Sequence, residues 1–210
     1  MTDTRLRTAA ATGFAGFVAA AVVATLLQPA AYSSVRDHLS GLAGLGAAHP
    51  EVMILGFQSA AVGFAAGGLL MIRTLRSMPG RLAGALYLVV AVAMSVAGFA
   101  RFDCTVDDAA CRATIEAGLS FSGHLHALAA QFVFTPVVLA GFLVAAALRR
   151  SRLGAGVLAL ALAQVALTYV MLNDLTAPYL FSWAGSGGSR ALQVTYEQLG
   201  LPADVVRAAG

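Results

Sequence analysis

The chain has 210 residues, of which 59% are hydrophobic and only 11% charged, and its mean hydropathy is +0.81. Soluble domains carry roughly a quarter charged residues, so these values exclude a soluble globular protein and point to a membrane protein. The formal charge of +3 is the balance of 13 basic residues, all Arg, against 10 acidic ones; it reflects how charge sorts across a bilayer and gives no sign of nucleic-acid binding.

Crossing hydrocarbon takes about 20 mostly apolar residues per helix, because lipid offers no partner to an exposed backbone amide. Five stretches qualify, at about 9–31, 52–72, 82–100, 124–148 and 153–172. The first follows Arg5 and Arg7 and outruns the usual apolar region of a signal peptide, so it reads as a retained helix. A polar island, Tyr32–Ser40 (YSSVRDHLS), comes next. His49 and Pro50 open the second span, which holds Gln58 and the close-packing motif Gly63-x-x-x-Gly67. A turn at Arg73–Arg81, with Pro79-Gly80, leads to the third span and its Ser95. The second island, Arg101–His126, carries Cys104 and Cys111 with six residues between them. That spacing suits a small disulfide loop in an oxidising compartment, with free thiols or a metal pair as the alternatives. Pro136 falls inside the fourth span, where it kinks or curves the helix. After the Arg149–Arg152 turn the fifth span carries Gln164 and Thr168. Beyond Asp174, Pro178, Trp183 and Gly185–Ser189 read as an outer loop, and Arg190–Leu199 as a surface helix too short and polar to span.

The expected fold is therefore all-α: one transmembrane helical bundle over residues 1–210, with five membrane-spanning helices and a polar tail, 185–210, holding a C-terminal surface or amphipathic helix. Arg5, Arg7, Arg73, Arg76, Arg81, Arg149, Arg150 and Arg152 all fall in alternate segments. The positive-inside rule then gives a cytoplasmic N-terminus in a bacterial plasma (inner) membrane, an outside C-terminus, and both polar islands outside. Acidic residues sort the other way, only Asp3 lying inside.

The islands hold the ionisable residues of greatest interest. Arg36, Asp37 and His38 precede the second helix, Arg101 and Asp103 end the third, and His124 begins the fourth. Converging helix ends would place two carboxylates and two imidazoles together. Asp37, Asp103 and His124 could then serve as acid/base groups, and Asp103, His124 and His38 as ligands to a divalent metal such as zinc. Arg36, Arg101, His38 and Gln131 would bind substrate, the guanidinium groups gripping a phosphate or carboxylate. An Arg–Asp network that pins loops at the interface is the competing reading, and no HExxH, GxSxG, phosphate loop or paired CxxC is present. On the fourth helix His124 shares a stripe with Ser120, Leu128, Gln131 and Thr135, and His126 shares one with Ser122, Ala130, Val133 and Val137. Because the first stripe is the polar one, His124 is expected to face the bundle interior and His126 the headgroups or a neighbouring helix.

At these same residues the chain resembles the bacterial membrane family known as domain of unknown function 998. The resemblance rests on Tyr32, Ser33, Arg36, Asp37 and Ser40 after the first helix, Phe102 and Asp103 after the third, and His124 with Leu128 and Ala129 opening the fourth. It covers about residues 9–172 and implies a six-helix bundle. The polar stretch 190–210 stands where the sixth hydrophobic helix is expected, and the pattern shifts by one or two residues around His124 and His126. The resemblance links the two islands as one pattern and carries no activity.

Three functions fit the residues. An intramembrane enzyme would act on a lipid or isoprenoid-like substrate through Asp37, Asp103 and His124. A non-catalytic lipid or small-molecule binder, transporter or membrane partner subunit would use the same groups to grip a headgroup. A haem-binding electron carrier is a third, in which membrane histidines would supply axial ligands.

Overall fold

The computed structural model describes residues 2–29, 32–33, 37–105 and 109–174, without the side chains of 109, 112, 116 and 168–174. Arg36 and the whole 185–210 tail, with its expected surface helix, lie outside the described residues. Among those described every regular element is helical: α1 Asp3–Leu26, a 3-10 helix Leu39–Ala43, α2 Pro50–Thr74, α3 Met78–Phe99, α4 Ala109–Ala117, α5 Phe121–Ala147 and α6 Arg152–Asp174. The chain divides into a unit Met1–Ala163 and a second unit from Gln164 onward, of which the final turns of α6 are described. Helices α1, α2, α3 and α5 are long and apolar enough to cross a membrane, and the protein is a membrane-embedded helical bundle. The apolar stretch of α6 with described side chains, Arg152–Leu167, is shorter than these four.

Local sequence sets where the helices begin. Side-chain oxygens of Thr2, Ser77 and Ser120 accept the amides of Arg5, Gly80 and Gly123, satisfying donors that a helix N-terminus leaves without partners. Pro50 and Pro79 sit in the first turns of α2 and α3, where a missing N–H costs nothing. Gly118, at φ 111°, ends α4 in the left-handed backbone that glycine enters without a Cβ clash. Pro136 lies buried within α5, and the helix continues past it to Ala147.

Small residues let the helices approach closely. A Cβ on Gly13 of α1 would lie 2.6 Å from the Cα of Gly63, and the Ser59 hydroxyl donates to the Gly13 carbonyl at 3.0 Å. A Cβ on Gly68 would come within 2.7 Å of the Gly84 carbonyl oxygen of α3. The two glycines of the Gly63-x-x-x-Gly67 motif thus serve different neighbours, since Gly67 faces the Tyr87 ring of α3. Between α2 and α3, Ser95 donates to Gln58 Oε1 at 2.7 Å while the Gln58 amide donates to the Ser95 carbonyl at 3.1 Å. The interhelical role of Gln58 is the one that burying an amide in hydrocarbon demands. The core gathers Ala24, Met53, Phe57, Ala60, Val90 and Met94 from three helices, and Leu42 and Ala43 of the 3-10 helix enter it almost without exposure. The loop after the first polar island therefore plugs one end of the bundle.

Candidate functional site at the polar end of the bundle

Antiparallel packing brings the end of α1, the start of α2, the end of α3 and the start of α5 to one end of the bundle. There the Arg101–Thr105 segment joins the 3-10 plug to α5. Arg101 Nε donates to the Ala43 carbonyl at 3.2 Å, and its terminal nitrogen donates to the Gly44 carbonyl at 2.6 Å. A rigid guanidinium fork suits carbonyls left exposed where the 3-10 helix stops. The same segment takes the Leu45 amide on the Phe102 carbonyl at 2.8 Å and sends the Thr105 hydroxyl to the Leu45 carbonyl at 2.9 Å.

On the other side of the segment, Asp103 accepts the Ser120 backbone N–H at 2.7 Å with one oxygen and the Ser120 hydroxyl with the other. Ser120 in turn accepts the Gly123 amide at 3.0 Å, so a carboxylate and a hydroxyl cap α5 in series. Negative charge at a helix N-terminus is favoured by the macrodipole. A Cβ on Gly123 would strike this carboxylate, which explains a glycine in the first turn of α5. The Ser122 hydroxyl donates to the Arg101 carbonyl at 2.9 Å and closes the clamp.

Of the two histidines of α5, His124, expected inside, is exposed, while His126 packs on a neighbouring helix, one of its two expected places, and is buried there. His126 is buried, at 5% exposure, and its Nδ1 lies 3.0 Å from the Ala97 carbonyl and 2.7 Å from that of Ala100. Both partners are acceptors, so Nδ1 carries the proton and the ring caps the last carbonyls of α3. Phe102 and Phe57 flank it, with ring centroids 5.7 and 6.4 Å away. His124 is exposed and donates from Nδ1 to the carbonyl of Ser120, one turn back on its own helix, at 2.9 Å. Gln131, Leu128 and Thr135 of its stripe are exposed too. The expectation of an inward His124 is corrected on a physical ground: helix contacts in a membrane select small residues. Gly123, Ala129 and Ala140 beside His126 meet that need, whereas a polar stripe does not.

The first island forms a local knot. Asp37, 7% exposed, accepts the Ser33 amide at 2.6 Å while its own N–H donates to the Ser33 carbonyl at 2.7 Å. Tyr32 donates to the His38 carbonyl at 3.5 Å. Burial first, and then the negative charge of Asp37, pushes the Tyr32 phenol above its ordinary pKa. His38 caps the 3-10 helix by backbone position alone. Of the expected site residues, Asp103 and His124 thus meet at Ser120, and Arg101 is tied to them through its carbonyl. Asp37 and His38 stay within the first island. No group of three His, Cys, Asp or Glu side chains able to hold a metal occurs among the described residues, so Asp103, His124 and His38 do not assemble as a ligand set there. Cys104 and Cys111 are joined, with Cα atoms 5.5 Å apart.

A family model described as a protein of unknown function, DUF998, matches residues 11–195. The chain belongs to the DUF998 family. No curated protein and no solved structure matches it. In this DUF998 protein the residues that carried the resemblance make the contacts just described: Tyr32, Ser33 and Asp37 tie the first knot, and Phe102 and Asp103 hold His126 and α5.

Between the end of α3 and the start of α5 the DUF998 chain opens a groove of about 360 Å³, lined by Ser95, Val96, Phe99, Ala100, Phe121, Ser122 and Leu125. Its walls are mostly apolar. Its hydroxyls, Ser95 and Ser122, spend their protons on Gln58 and on the Arg101 carbonyl, leaving oxygen lone pairs in the lining. Ser120, Ser122 and His126 are visible in the sequence as members of helix stripes, without a site role. The run of small residues on the His126 side of α5 was the available signal for them.

Proposed function

We propose that this protein is a non-catalytic membrane binder of a lipid-like amphiphile, seated with an acyl or isoprenoid segment in the groove between α3 and α5. The observation that carries the reading is how the expected catalytic groups are employed. Asp103 spends both oxygens on Ser120, and Arg101 spends its fork on the carbonyls of the 3-10 plug. A general acid or base needs an unencumbered atom facing a substrate, and a carboxylate committed to a helix cap is a positioning group. The groove that those clamps frame is apolar, and such walls suit hydrocarbon. His124 remains as an exposed group at the start of α5, close to the Asp103 cap, where it suits a headgroup.

In this reading α6 completes a fifth span, the polar end faces outward by the positive-inside rule, and the Cys104–Cys111 bond belongs to the oxidising side of a bacterial plasma membrane. The test is native mass spectrometry of the intact protein released from mild detergent. A retained lipid-like adduct is expected on the wild type and lost on Leu125→Trp, whose indole fills the groove. A wild type that carries no adduct, or a Leu125→Trp variant that keeps the same one, overturns the proposal.

A further inference from the structure

The groove between α3 and α5 also constrains the polar part of its ligand. Among the described residues that line it none is charged, and the polar side-chain atoms they offer are the hydroxyl oxygens of Ser95 and Ser122, both partly exposed. Bonding fixes where each proton points. The Ser95 carbonyl can only accept, so the Gln58 nitrogen faces it, at 3.1 Å, and Gln58 Oε1 is left to take the Ser95 hydroxyl proton at 2.7 Å. The Arg101 carbonyl likewise takes the Ser122 proton at 2.9 Å. A hydroxyl has one proton and two lone pairs, so each oxygen can still accept and neither can donate. The charges nearby are directed elsewhere. Arg101 turns its fork to the carbonyls of Ala43 and Gly44, and Asp103 already holds the N-terminus of α5, which would otherwise draw an anion.

Resting on the groove-binder reading above, we infer that the ligand is a neutral lipid alcohol, whose free hydroxyl donates to Ser122 Oγ and whose chain lies along Phe99, Phe121 and Leu125. The two acceptors sit at different depths. Ser122 bonds Arg101, just past the end of α3, whereas Ser95, one turn before Phe99, lies about 6 Å in from that end. Ser122 is therefore the oxygen at the polar mouth, where a headgroup hydroxyl arrives. A phosphate or carboxylate brings acceptors alone, and in this groove it would lose water to face serine lone pairs with the Asp103 carboxylate close by. An alcohol brings the one thing the lining lacks, a proton to donate. An ester or ether of the same chain fills the walls equally well but leaves the Ser122 lone pairs unmatched.

The experiment reconstitutes the full-length protein in phosphatidylcholine nanodiscs doped with equal amounts of dioleoylglycerol, its 3-acetyl ester and dioleoyl phosphatidic acid. The protein is released with mild detergent and the retained lipids are weighed by native mass spectrometry. Wild type is expected to retain dioleoylglycerol about fivefold above either competitor, the effect of one hydrogen bond. The preference should vanish in Ser122→Ala and persist in Ser122→Thr, which keeps the oxygen. Equal retention of the alcohol and its acetyl ester by wild type overturns the inference, leaves the groove reading standing, and does not depend on any variant folding. Phosphatidic acid in excess, or a Ser122→Ala variant that folds and keeps the preference, overturns it as well. Retention of none of the three also overturns it, while the adduct carried by the protein as isolated decides the groove reading separately.

Discussion

Replacing Asp103 removes the carboxylate that holds the first turn of α5. It receives two hydrogen bonds from Ser120 and sits where the helix macrodipole favours negative charge. Hydrogen bonds to a charged group contribute about 1.5–3 kcal/mol each when buried. Ser120 is exposed and water competes for both, so the cost falls below the buried sum to the upper end of the N-cap range, about 2 kcal/mol for Asp103→Ala. Asp103→Asn keeps one acceptor oxygen and loses the charge, at a cost of about 1 kcal/mol. Hydrogen exchange in nanodiscs reads this locally, because opening of the first turn exposes the Ser120 and Gly123 amides. Their protection should fall about 30-fold in Asp103→Ala and about fivefold in Asp103→Asn, with the middle of α5 unaffected. Ser120→Ala should cost as much as Asp103→Ala, and the double variant little more, since both remove one linked cap. Unchanged protection at Ser120 and Gly123 in Asp103→Ala would refute the capping role and return Asp103 to the list of groups free for chemistry.

Four further outcomes are expected. Gly13→Leu forces α1 away from Gly63 and Ser59, and should lower the denaturation midpoint in detergent by the equivalent of about 1–3 kcal/mol, whereas Gly156→Leu, with open space around it, should leave it unchanged. His126→Leu strips the partner from the Ala97 and Ala100 carbonyls and should cost about 1–3 kcal/mol by the same measurement, while His124→Leu costs little. Gln58→Leu and Ser95→Ala should each cost about 0.6 kcal/mol and together far less than twice that, in a double-mutant cycle. Tyr32, held above the ordinary phenol pKa, keeps its proton longer in the folded protein than in the unfolded chain. Its contribution to stability is therefore complete below the unfolded pKa of about 10 and is lost as pH rises through the folded value. Tyrosinate absorbance compared between wild type and Tyr32→Phe should show one phenol ionising late, and a difference spectrum centred on the ordinary value would contradict this.

Much of the fold is legible in composition, because the hydrocarbon core permits so few backbone solutions. Apolar runs near residues 9–31, 52–72, 82–100 and 124–148 correspond to α1, α2, α3 and α5, and Thr2, Pro50, Ser77, Pro79 and Ser120 at their starts show why they begin where they do. The 3-10 plug is not legible, since Leu39–Ala43 has too few residues for a period to register and takes its place only through contacts with α1, α2 and Arg101. The polar islands stand out by hydropathy alone, yet hydropathy does not say what each carboxylate holds. Asp103 reads as a catalytic acid in the sequence, and only the structure adds Ser120 on both its oxygens. The orientation of α5 differs from the sequence expectation for a related reason. A polar stripe in a membrane helix suggests an interior face, but close packing on α3 needed the small side chains around His126, and its imidazole had two helix-end carbonyls to satisfy.

Photolabelling with a diazirine-bearing phospholipid in nanodiscs, mapped by mass spectrometry of the cleaved protein, tests the central claim most directly. A binder with its acyl site between α3 and α5 will concentrate the label on Phe99, Phe121 and Leu125, keep it in Asp103→Asn and lose it in Leu125→Trp. Label spread evenly over the lipid-facing surfaces of all the helices, and unchanged by Leu125→Trp, would contradict the claim.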